Sequence, residues 1–373
     1  MTTPLTVGSA TAQPGTLQYG RWEALAHPTG HTEFLPVIIA QGREPGPCIW
    51  LTAGIHGNEH SGPVILYQLL TQALVDQLRG TIVAIPALNP AGLRTTKREP
   101  YHAPTDPNRL WPDGKPPKPL DPEKEPPSSL ETAYARLFAE MQKSADYLID
   151  YHNTWPHSIP FAFRDRVLYH ADENEAQNKA EAEALAAKLD EMLKVFGHTI
   201  INEYPSEKYI DLDLHRSTSG AALLVGRIPA FTVELGSGLM PNLNITQAAL
   251  SGTRNVLRWV GMLEGEMEAI AGIKVVETGF PVRRSGTLRA SQACVSIPRV
   301  KSGDLVQTGD RLADLVDIWG RPLETIEAPS TALVLSPSYG VYFYPSDTVV
   351  YLAVRDEEAL TGPYPADYFK ADD

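Results

Sequence analysis

Residues 54–60, Gly-Ile-His-Gly-Asn-Glu-His, constrain the fold of this chain more than any other stretch. The run before them, residues 48–53, is short, apolar and rich in β-favouring residues, which predicts a buried strand. Residues 64–78 repeat apolar side chains at spacings of three and four and predict a helix. His56 and Glu59 would therefore lie at the carboxyl end of a strand, where α/β sheets bind ligands. An imidazole and a carboxylate so spaced can bind one cation such as Zn²⁺.

The His-x-x-Glu pair is weak evidence when taken alone. Such a short motif can arise by chance, and a loop histidine can simply make local hydrogen bonds. The chain contains a second copy, His170 to Glu173. That copy begins a segment rich in Glu and Ala, where acidic residues stabilise the first turn of a helix, so it needs no metal to explain it.

The rest of the first 271 residues alternates strand and helix patterns. This succession predicts an α/β fold with a mixed, largely parallel sheet flanked by helices. An antiparallel hairpin at the sheet edge is predicted over residues 17–42, and a turn over 89–92. Further strands are predicted over residues 81–87, 146–151, 221–225 and 229–235, and further helices over 130–144, 173–196 and 245–264. Nine prolines within residues 104–127 predict an irregular surface loop.

The pattern changes near residue 272. Short β-prone runs alternate there with turn sequences such as Lys-Ser-Gly-Asp at residues 301–304, which predicts a small all-β barrel or sandwich. We therefore predict two domains, a catalytic domain over residues 1–271 and a β-rich domain over residues 272–373.

Composition excludes several classes of function. The formal net charge of −13 argues against non-specific binding to nucleic acid or anionic membranes, which needs basic surfaces. Cys48 and Cys294 provide no disulfide framework, and the N-terminal residues lack a signal-peptide pattern, so a cytoplasmic protein is expected. No apolar run is long enough to span a bilayer. The sequence leaves the oligomeric state open, and a homo-oligomer is compatible with it.

Three predicted strand ends carry residues that suit zinc chemistry. His56 with Glu59, His152 and Glu234 all come from carboxyl ends of strands, which a parallel sheet gathers along one edge. Two His and one Glu leave one coordination position of a tetrahedral Zn²⁺ open for water, as in catalytic sites. Glu234 is the candidate general base, and we expect one Zn²⁺ per chain.

Arginines on the proline-rich segment suit an anionic substrate. Asn108 and Arg109 can bind a substrate carboxylate, and Arg98 can stabilise the negative charge that develops on an attacked carbonyl. Arg94 is the alternative to Arg98 for that role, and the spacing of Arg98 to the Asn-Arg pair favours Arg98.

Each candidate also has a purely structural interpretation. His152 could be a core histidine, Glu234 could cap a turn, and Arg109 could form a salt bridge with Asp106 or Asp150. A shifted metal site formed by His152, His157 and Glu173 is the main rival.

Six separated motifs occur in the order typical of one family. They are His56-Gly57-Asn58-Glu59, Asn89-Pro90, Arg98, Asp106-Pro107-Asn108-Arg109, His152 and Val233-Glu234-Leu235-Gly236. Over roughly residues 45–260 the chain thereby resembles the succinylglutamate desuccinylase and aspartoacylase family, which is related to the zinc carboxypeptidases. Pro107 departs from the small apolar residue usual in that motif.

The resemblance implies a zinc carboxypeptidase-like fold. It also implies a role for each residue of this chain that matches a position in the family's motifs. His56, Glu59 and His152 would bind zinc, and Glu234 would act as general base and then as proton donor. Asn108 and Arg109 would hold a carboxylate, and Arg98 would polarise the scissile carbonyl. The C-terminal segment resembles the family's barrel-sandwich domain, with no Lys where related carrier domains attach a cofactor.

The expected function is a zinc-dependent amidohydrolase that cleaves an N-acyl amide of an amino acid or of a similar small amine bearing a carboxylate. The first alternative is a zinc metallocarboxypeptidase acting on peptide C-termini, which an open groove would favour. The second is a non-catalytic binding protein on the same scaffold, which loss of a ligand or of the base would favour. Neither is lost in this sequence. The sequence does not identify the acyl group or the amine, and it is compatible with esterase activity on related substrates.

Overall fold

The computed structural model describes residues 4–116, 126–236, 238–285, 288–338 and 340–369. Its helices are α1 (Ser61–Leu69), α2 (Gln72–Val75), α3 (Pro90–Thr95), α4 (Ser129–Gln142), α5 (Glu175–Phe196), α6 (Ser206–Asp211), α7 (Thr218–Leu224) and α8 (Leu243–Trp259). The strands up to residue 234 are β1 (Leu5–Val7), β2 (Ala10–Ala12), β3 (Thr16–Ala26), β4 (Thr32–Gln41), β5 (Glu44–Ala53), β6 (Arg79–Ile85), β7 (Tyr147–His152), β8 (Phe161–Arg164), β9 (Val167–Tyr169), β10 (Thr199–Asn202) and β11 (Ala230–Glu234).

The later strands are β12 (Val282–Arg284), β13 (Leu288–Arg289), β14 (Cys294–Pro298), β15 (Leu305–Val306), β16 (Arg311–Val316), β17 (Pro322–Glu327), β18 (Ala332–Pro337), β19 (Tyr342–Phe343), β20 (Thr348–Arg355) and β21 (Thr361–Pro363). Every helix in the described part of the chain is too short or too polar to span a lipid bilayer.

Thirteen of the described strands form one mixed sheet. Its order is β15-β18-β20-β12-β10-β8-β11-β7-β5-β6-β4-β3, and β13 pairs with β20. Strands β11, β7, β5 and β6 are parallel neighbours, so the carboxyl ends of β5, β7 and β11 lie side by side. The antiparallel hairpin β3-β4 closes one edge of the sheet, as predicted. The predicted α/β class with a mixed sheet is confirmed.

The two faces of β7 carry different kinds of side chain. Successive side chains of a strand point to opposite faces, so Asp150 and His152 share one face and Tyr151 lies on the other. The Tyr151 hydroxyl is 2.6 Å from the Thr253 hydroxyl of α8, which fixes that helix against the sheet. The opposite face of β7 is left for polar residues, and these form the site described below.

The residues after 272 are rich in strands, as predicted. Strand β12 pairs in parallel with β10 and so extends the main sheet, while β14, β16, β17 and β19 form a separate four-stranded sheet. Apolar side chains from this part of the chain form their own buried cluster, which includes Leu312 and Leu315 of β16 and Val350 of β20. A domain boundary at residue 271 stays a prediction.

The strand prediction for residues 221–225 is wrong. These residues fall in α7, a fully buried helix, and its end at Val225. A five-residue apolar run fits a buried helix as well as a buried strand, so periodicity cannot separate the two. The Ser217 hydroxyl accepts a hydrogen bond from the Gly220 amide at 2.9 Å and caps the helix.

Two other local predictions need correction. Residues 64–78 form two helices instead of one, because the chain leaves helical geometry at Leu70 and the Thr71 side chain caps α2. The predicted turn at residues 89–92 is the start of α3, capped by the Asn89 side chain. Within the predicted loop over residues 104–127, Pro107–Arg109 forms a 3-10 turn, and residues 117–125 lie outside the described part.

Candidate metal centre and its cavity

The connection after β5 packs directly against the backbone of α3. A Cβ atom added to Gly57 would lie 1.9 Å from the Gly92 carbonyl carbon, so only glycine fits without a backbone shift. The Gly57 amide donates a hydrogen bond to the Arg98 carbonyl at 3.3 Å. The Asn89 side-chain amide also donates to the carbonyls of Ile55 and Arg98. These contacts fix the loop that carries His56 and Glu59.

Gly57→Ala is expected to lower stability by about 1–3 kcal/mol, because the added methyl group forces the loop away from α3. The loop also carries two of the candidate metal ligands, so metal affinity should fall in the same variant. Thermal unfolding and a metal competition titration measure the two effects. A variant with the unfolding temperature and the metal affinity of the wild type would contradict the packing described here.

Three buried side chains meet at the end of β5 and β7. Glu59 Oε1 lies 2.7 Å from His56 Nδ1, and Glu59 Oε2 lies 2.9 Å from His152 Nδ1. One ligand atom from each residue lies within 4.8 Å of the other two. Burial alone would raise the pKa of Glu59, but the imidazoles of His56 and His152 hold that pKa well below its usual range. The set can therefore offer two nitrogens and one anionic oxygen to a metal ion.

The second ring nitrogen of each of these two histidines lies within hydrogen-bond distance of a carboxylate. His56 Nε2 lies 3.1 Å from Asp106 Oδ1, and His152 Nε2 lies 2.8 Å from Asp150 Oδ2. Asp150 in turn accepts a hydrogen bond from the Thr52 hydroxyl at 2.6 Å. Carboxylates in this position fix the tautomer and the orientation of a metal-binding imidazole. The donor set and its supporting groups thus fit a metal ion.

Asp150→Asn is expected to weaken metal binding by about 10- to 100-fold, because the amide orients the His152 ring less strongly and lacks the charge that raises its basicity. Competition with a chelator of known affinity measures the loss. Asp146→Asn is the matched control, since Asp146 lies just before β7 and its Oδ2 accepts from the Cys48 amide, away from the metal centre. Equal metal affinity in the Asp150 variant and in the control would contradict this role.

Glu234 lies at the end of β11 and pairs in register with His152 on β7. Its Oε2 atom is buried and has no hydrogen-bond partner among the described residues. Burial raises the pKa of the Glu234 carboxyl to about 7, with His152 opposing the shift and Glu59 adding to it. A buried carboxylate oxygen without a protein partner is available to water or to a substrate.

Asn108 and Arg109 line the same cavity as the candidate metal ligands. The Asn108 side-chain oxygen accepts from the amide and the hydroxyl of Thr218, at 2.9 and 3.1 Å, which leaves the NH₂ group to donate into the cavity. Arg109 Nε donates to the Leu212 carbonyl, and its Nη1 donates to the Asn108 carbonyl. Neither Asp106 nor Asp150 pairs directly with Arg109 in the described structure.

The two candidate arginines occupy different places. Arg98 lines the cavity, with its Nη2 atom 2.7 Å from Asp106 Oδ2 and its Nη1 atom 3.8 Å from Glu59 Oε1. Arg94 is absent from the cavity wall, and its Nη2 atom lies 3.5 Å from Glu33 Oε2. Of the two arginines, only Arg98 is thus close to the candidate metal ligands.

The cavity has a volume of about 840 Å³. Its wall includes all seven residues predicted for the site, which are His56, Glu59, Arg98, Asn108, Arg109, His152 and Glu234. Arg284 of β12 also lines it, so the C-terminal strands contribute to its wall. This size lies within the range typical of small-molecule pockets, about 300–1,000 Å³.

The structure does not bring the rival metal set together. Among the described residues, His157 and Glu173 belong to no group that could share a metal with His152. A second group with suitable spacing is His27, Glu33 and His102, none of which lines the cavity. In that group the Arg94 guanidinium already lies beside Glu33, and a cation there competes with a metal ion.

Sequence reasoning missed the roles of Asp106 and Asp150. Asp150 could have been found, because a residue two positions before a strand-end histidine shares its face of the sheet. Asp106 approaches His56 only through the folding of an irregular segment, and no periodic pattern predicts that contact. The inner part of the cavity, with Asp165, Glu203 and Tyr209, was also missed.

Comparisons with known proteins identify the family of the chain. The family described as Succinylglutamate desuccinylase/Aspartoacylase catalytic domain matches residues 45–260, which is more than half of the chain. No curated protein matches the sequence.

Several solved structures share the fold. The product-bound ectoine utilization protein EutE (DoeB) from Ruegeria pomeroyi is 19% identical with a TM-score of 0.70, over 94% of this chain and 98% of that chain. A succinylglutamate desuccinylase from Silicibacter sp. TM1040 is 18% identical with a TM-score of 0.68, over 95% and 98%. A succinylglutamate desuccinylase/aspartoacylase from Rhodobacter sphaeroides is 19% identical with a TM-score of 0.67, over 92% and 96%. Because the family match covers residues 45–260, more than half of the chain, the chain belongs to the succinylglutamate desuccinylase/aspartoacylase family of deacylating hydrolases.

Proposed function

We propose that the protein is a zinc-dependent amidohydrolase that cleaves the N-acyl amide of an amino acid or of a similar small amine bearing a carboxylate. The observation that carries this proposal is the Glu234 Oε2 atom, buried and without a hydrogen-bond partner among the described residues, in one cavity with the buried His56, Glu59 and His152 set. Two imidazoles and one carboxylate favour zinc over the harder cations Mg²⁺ and Ca²⁺.

His56, Glu59 and His152 would hold the ion, one per chain. When bound, zinc supplies an activated water and polarises the scissile carbonyl. Glu234 accepts a proton from the attacking water and then donates it to the leaving amine. One carboxyl group can serve both steps, because it is a base when ionised and an acid once protonated. Arg98 donates hydrogen bonds to the carbonyl oxygen as negative charge develops on it.

Asn108 and Arg109 bind the substrate carboxylate in this proposal. The free NH₂ group of Asn108 and the guanidinium of Arg109 are donors that match a carboxylate. Their position in the wall of the same cavity supports a substrate in which the carboxylate lies a few bonds from the scissile amide.

A metallocarboxypeptidase acting on peptide C-termini is the alternative, because the same residues could serve it. The cavity volume of about 840 Å³ and its wall of residues from both halves of the chain, including Arg284, favour a small substrate. A non-catalytic binding protein is less well supported, because every candidate ligand and the candidate base are present. We place the β-rich residues 272–373 in a separate domain that helps to close the site.

Substrate size tests this proposal. The zinc-loaded protein should release free amine from N-acetyl, N-succinyl or N-formyl amino acids and leave longer peptides with free C-termini intact. Both classes can be assayed by the same detection of newly formed primary amine. Faster cleavage of the peptides than of any N-acyl amino acid would favour the carboxypeptidase alternative instead.

A further inference from the structure

The tip of the β3-β4 hairpin and a segment distant in sequence bring two imidazoles and a carboxylate together outside the catalytic cavity. His27 directly follows β3, Glu33 lies on β4, and His102 lies between α3 and the 3-10 turn at Pro107–Arg109. Leu25 of β3 pairs with Glu33, so the alternation of the strand places His27, two positions further on, on the same face. One ligand atom from each of the three residues lies within 4.8 Å of the other two.

Two of these side chains lack the partners that buried polar groups normally have. His27 Nε2 is buried and has no hydrogen-bond partner among the described residues. Glu33 is only 4% exposed, yet its oxygens lie 3.5 Å from Arg94 Nη2 and 3.8 Å from His102 Nε2. Both distances exceed the roughly 2.7–2.9 Å of a charge-assisted hydrogen bond. Buried nitrogens and carboxylates in this condition cost free energy unless a further group satisfies them.

A divalent metal ion would satisfy both residues at once. It accepts the lone pair of an imidazole nitrogen and compensates the charge of a carboxylate. Two imidazoles and one carboxylate form a donor set that suits Zn²⁺ and the neighbouring transition metals better than Mg²⁺ or Ca²⁺. The His102 side chain is 21% exposed, so an ion can reach the group from solvent without entering the catalytic cavity.

The surroundings of this group set its strength. Glu33 Oε1 lies on the side of His102 and Oε2 on the side of Arg94, so Oε1 can bind a metal while the Arg94 charge weakens that bond. Among the described residues, no carboxylate supports a second ring nitrogen of His27 or His102 as Asp150 supports His152. Support of that kind contributes about 10- to 100-fold to metal affinity. The group should therefore bind a metal about 10²-fold more weakly than the catalytic centre does.

We propose that His27, Glu33 and His102 form a second site for Zn²⁺ or a similar transition-metal ion, separate from the catalytic centre. A bound ion joins the β3-β4 hairpin to the segment that carries Arg98 and Asp106. At the zinc concentrations that fill the catalytic centre the second site stays largely empty, so the chain holds about one zinc until free zinc is raised. This site does not depend on the proposed amidohydrolase function.

A zinc-binding isotherm tests the second site. The metal-free full chain is dialysed to equilibrium against a series of buffered free Zn²⁺ concentrations, and bound zinc is measured per chain. The wild type should bind one equivalent first and a second at about 10²-fold higher free zinc. His102→Ala should lose the second step and keep the first, which also shows that the variant folds. His170→Ala, which removes an exposed histidine outside both groups, should keep both steps.

Arg94→Gln should have the opposite effect. Loss of the guanidinium charge beside Glu33 removes the competing cation, so the second step should move to about 10-fold lower free zinc. The Arg94 side chain is 57% exposed, so the substitution should leave the packing of the hairpin unchanged. A gain of affinity at the second step cannot result from damage to the fold.

His152→Ala separates this inference from the proposed function, because it should remove the first step and keep the second. A wild-type isotherm that saturates at one equivalent would overturn the second site and leave the catalytic centre standing. So would a second step that persists in His102→Ala or does not move in Arg94→Gln, as expected for zinc bound at scattered surface carboxylates. A first step that persists in His152→Ala would refute the catalytic centre and retain the second site.

Discussion

Glu234→Gln is expected to lower kcat by about 10²- to 10⁴-fold, the usual contribution of a positioned general base. Glutamine keeps the size of the side chain, so the sheet pairing of β11 with β7 and the packing around residue 234 should persist. It cannot take a proton from the attacking water. Steady-state hydrolysis of an N-acyl amino acid measures the loss, and elemental analysis should find the same metal content as in the wild type.

The Glu234 Oε2 atom has no hydrogen-bond partner among the described residues, so its replacement should not break a structural contact. Unfolding temperature should therefore stay near the wild-type value. A Gln variant with more than a tenth of the wild-type kcat would exclude Glu234 as the base. Loss of metal in this variant would instead identify Glu234 as a ligand.

His152→Ala should have the second large effect, loss of the metal and of activity together. The substitution removes one of three candidate ligands and leaves Asp150 and Glu59 as buried carboxylates without the imidazole between them. Metal affinity should fall by more than the ~10²-fold that loss of a supporting group costs. Activity should fall by about 10³-fold or more, because the metal contributes several kcal/mol to the reaction.

His170→Ala is the control for this variant. His170 belongs to the second His-x-x-Glu sequence, is exposed, and stacks on Phe369 at 4.3 Å between ring centroids. Its loss should change neither metal content nor kcat. Stoichiometric metal in His152→Ala, or metal loss in His170→Ala, would contradict the assignment of the centre.

The sequence predicted which side chains meet at the candidate metal centre better than it predicted their surroundings, for a physical reason. His56, Glu59, His152 and Glu234 all lie at strand ends, and a parallel sheet gathers such ends by its own geometry. Strand patterns are visible in sequence, so residues far apart in the chain could be placed at one edge of the sheet. The order of the family motifs along the chain supported the same placement.

The inner cavity could not be predicted in this way. Strand β8 runs antiparallel to β11, so the residue after its carboxyl end, Asp165, lies away from the metal edge. Nothing in the short apolar run of β8 indicates its direction in the sheet. Residues 221–225 show a related limit, since a buried helix and a buried strand have the same apolar composition.

Metal-dependent turnover is the most direct test of the proposed zinc-dependent reaction. Purified protein is assayed for amine release from N-acyl amino acids while zinc content is measured, before chelation, after complete chelation and after zinc is returned. We expect about one zinc per chain, loss of turnover when the metal is removed, and recovery of turnover in proportion to the zinc bound. Turnover that survives complete removal of metal, or a protein that binds no stoichiometric zinc after reconstitution, would contradict it.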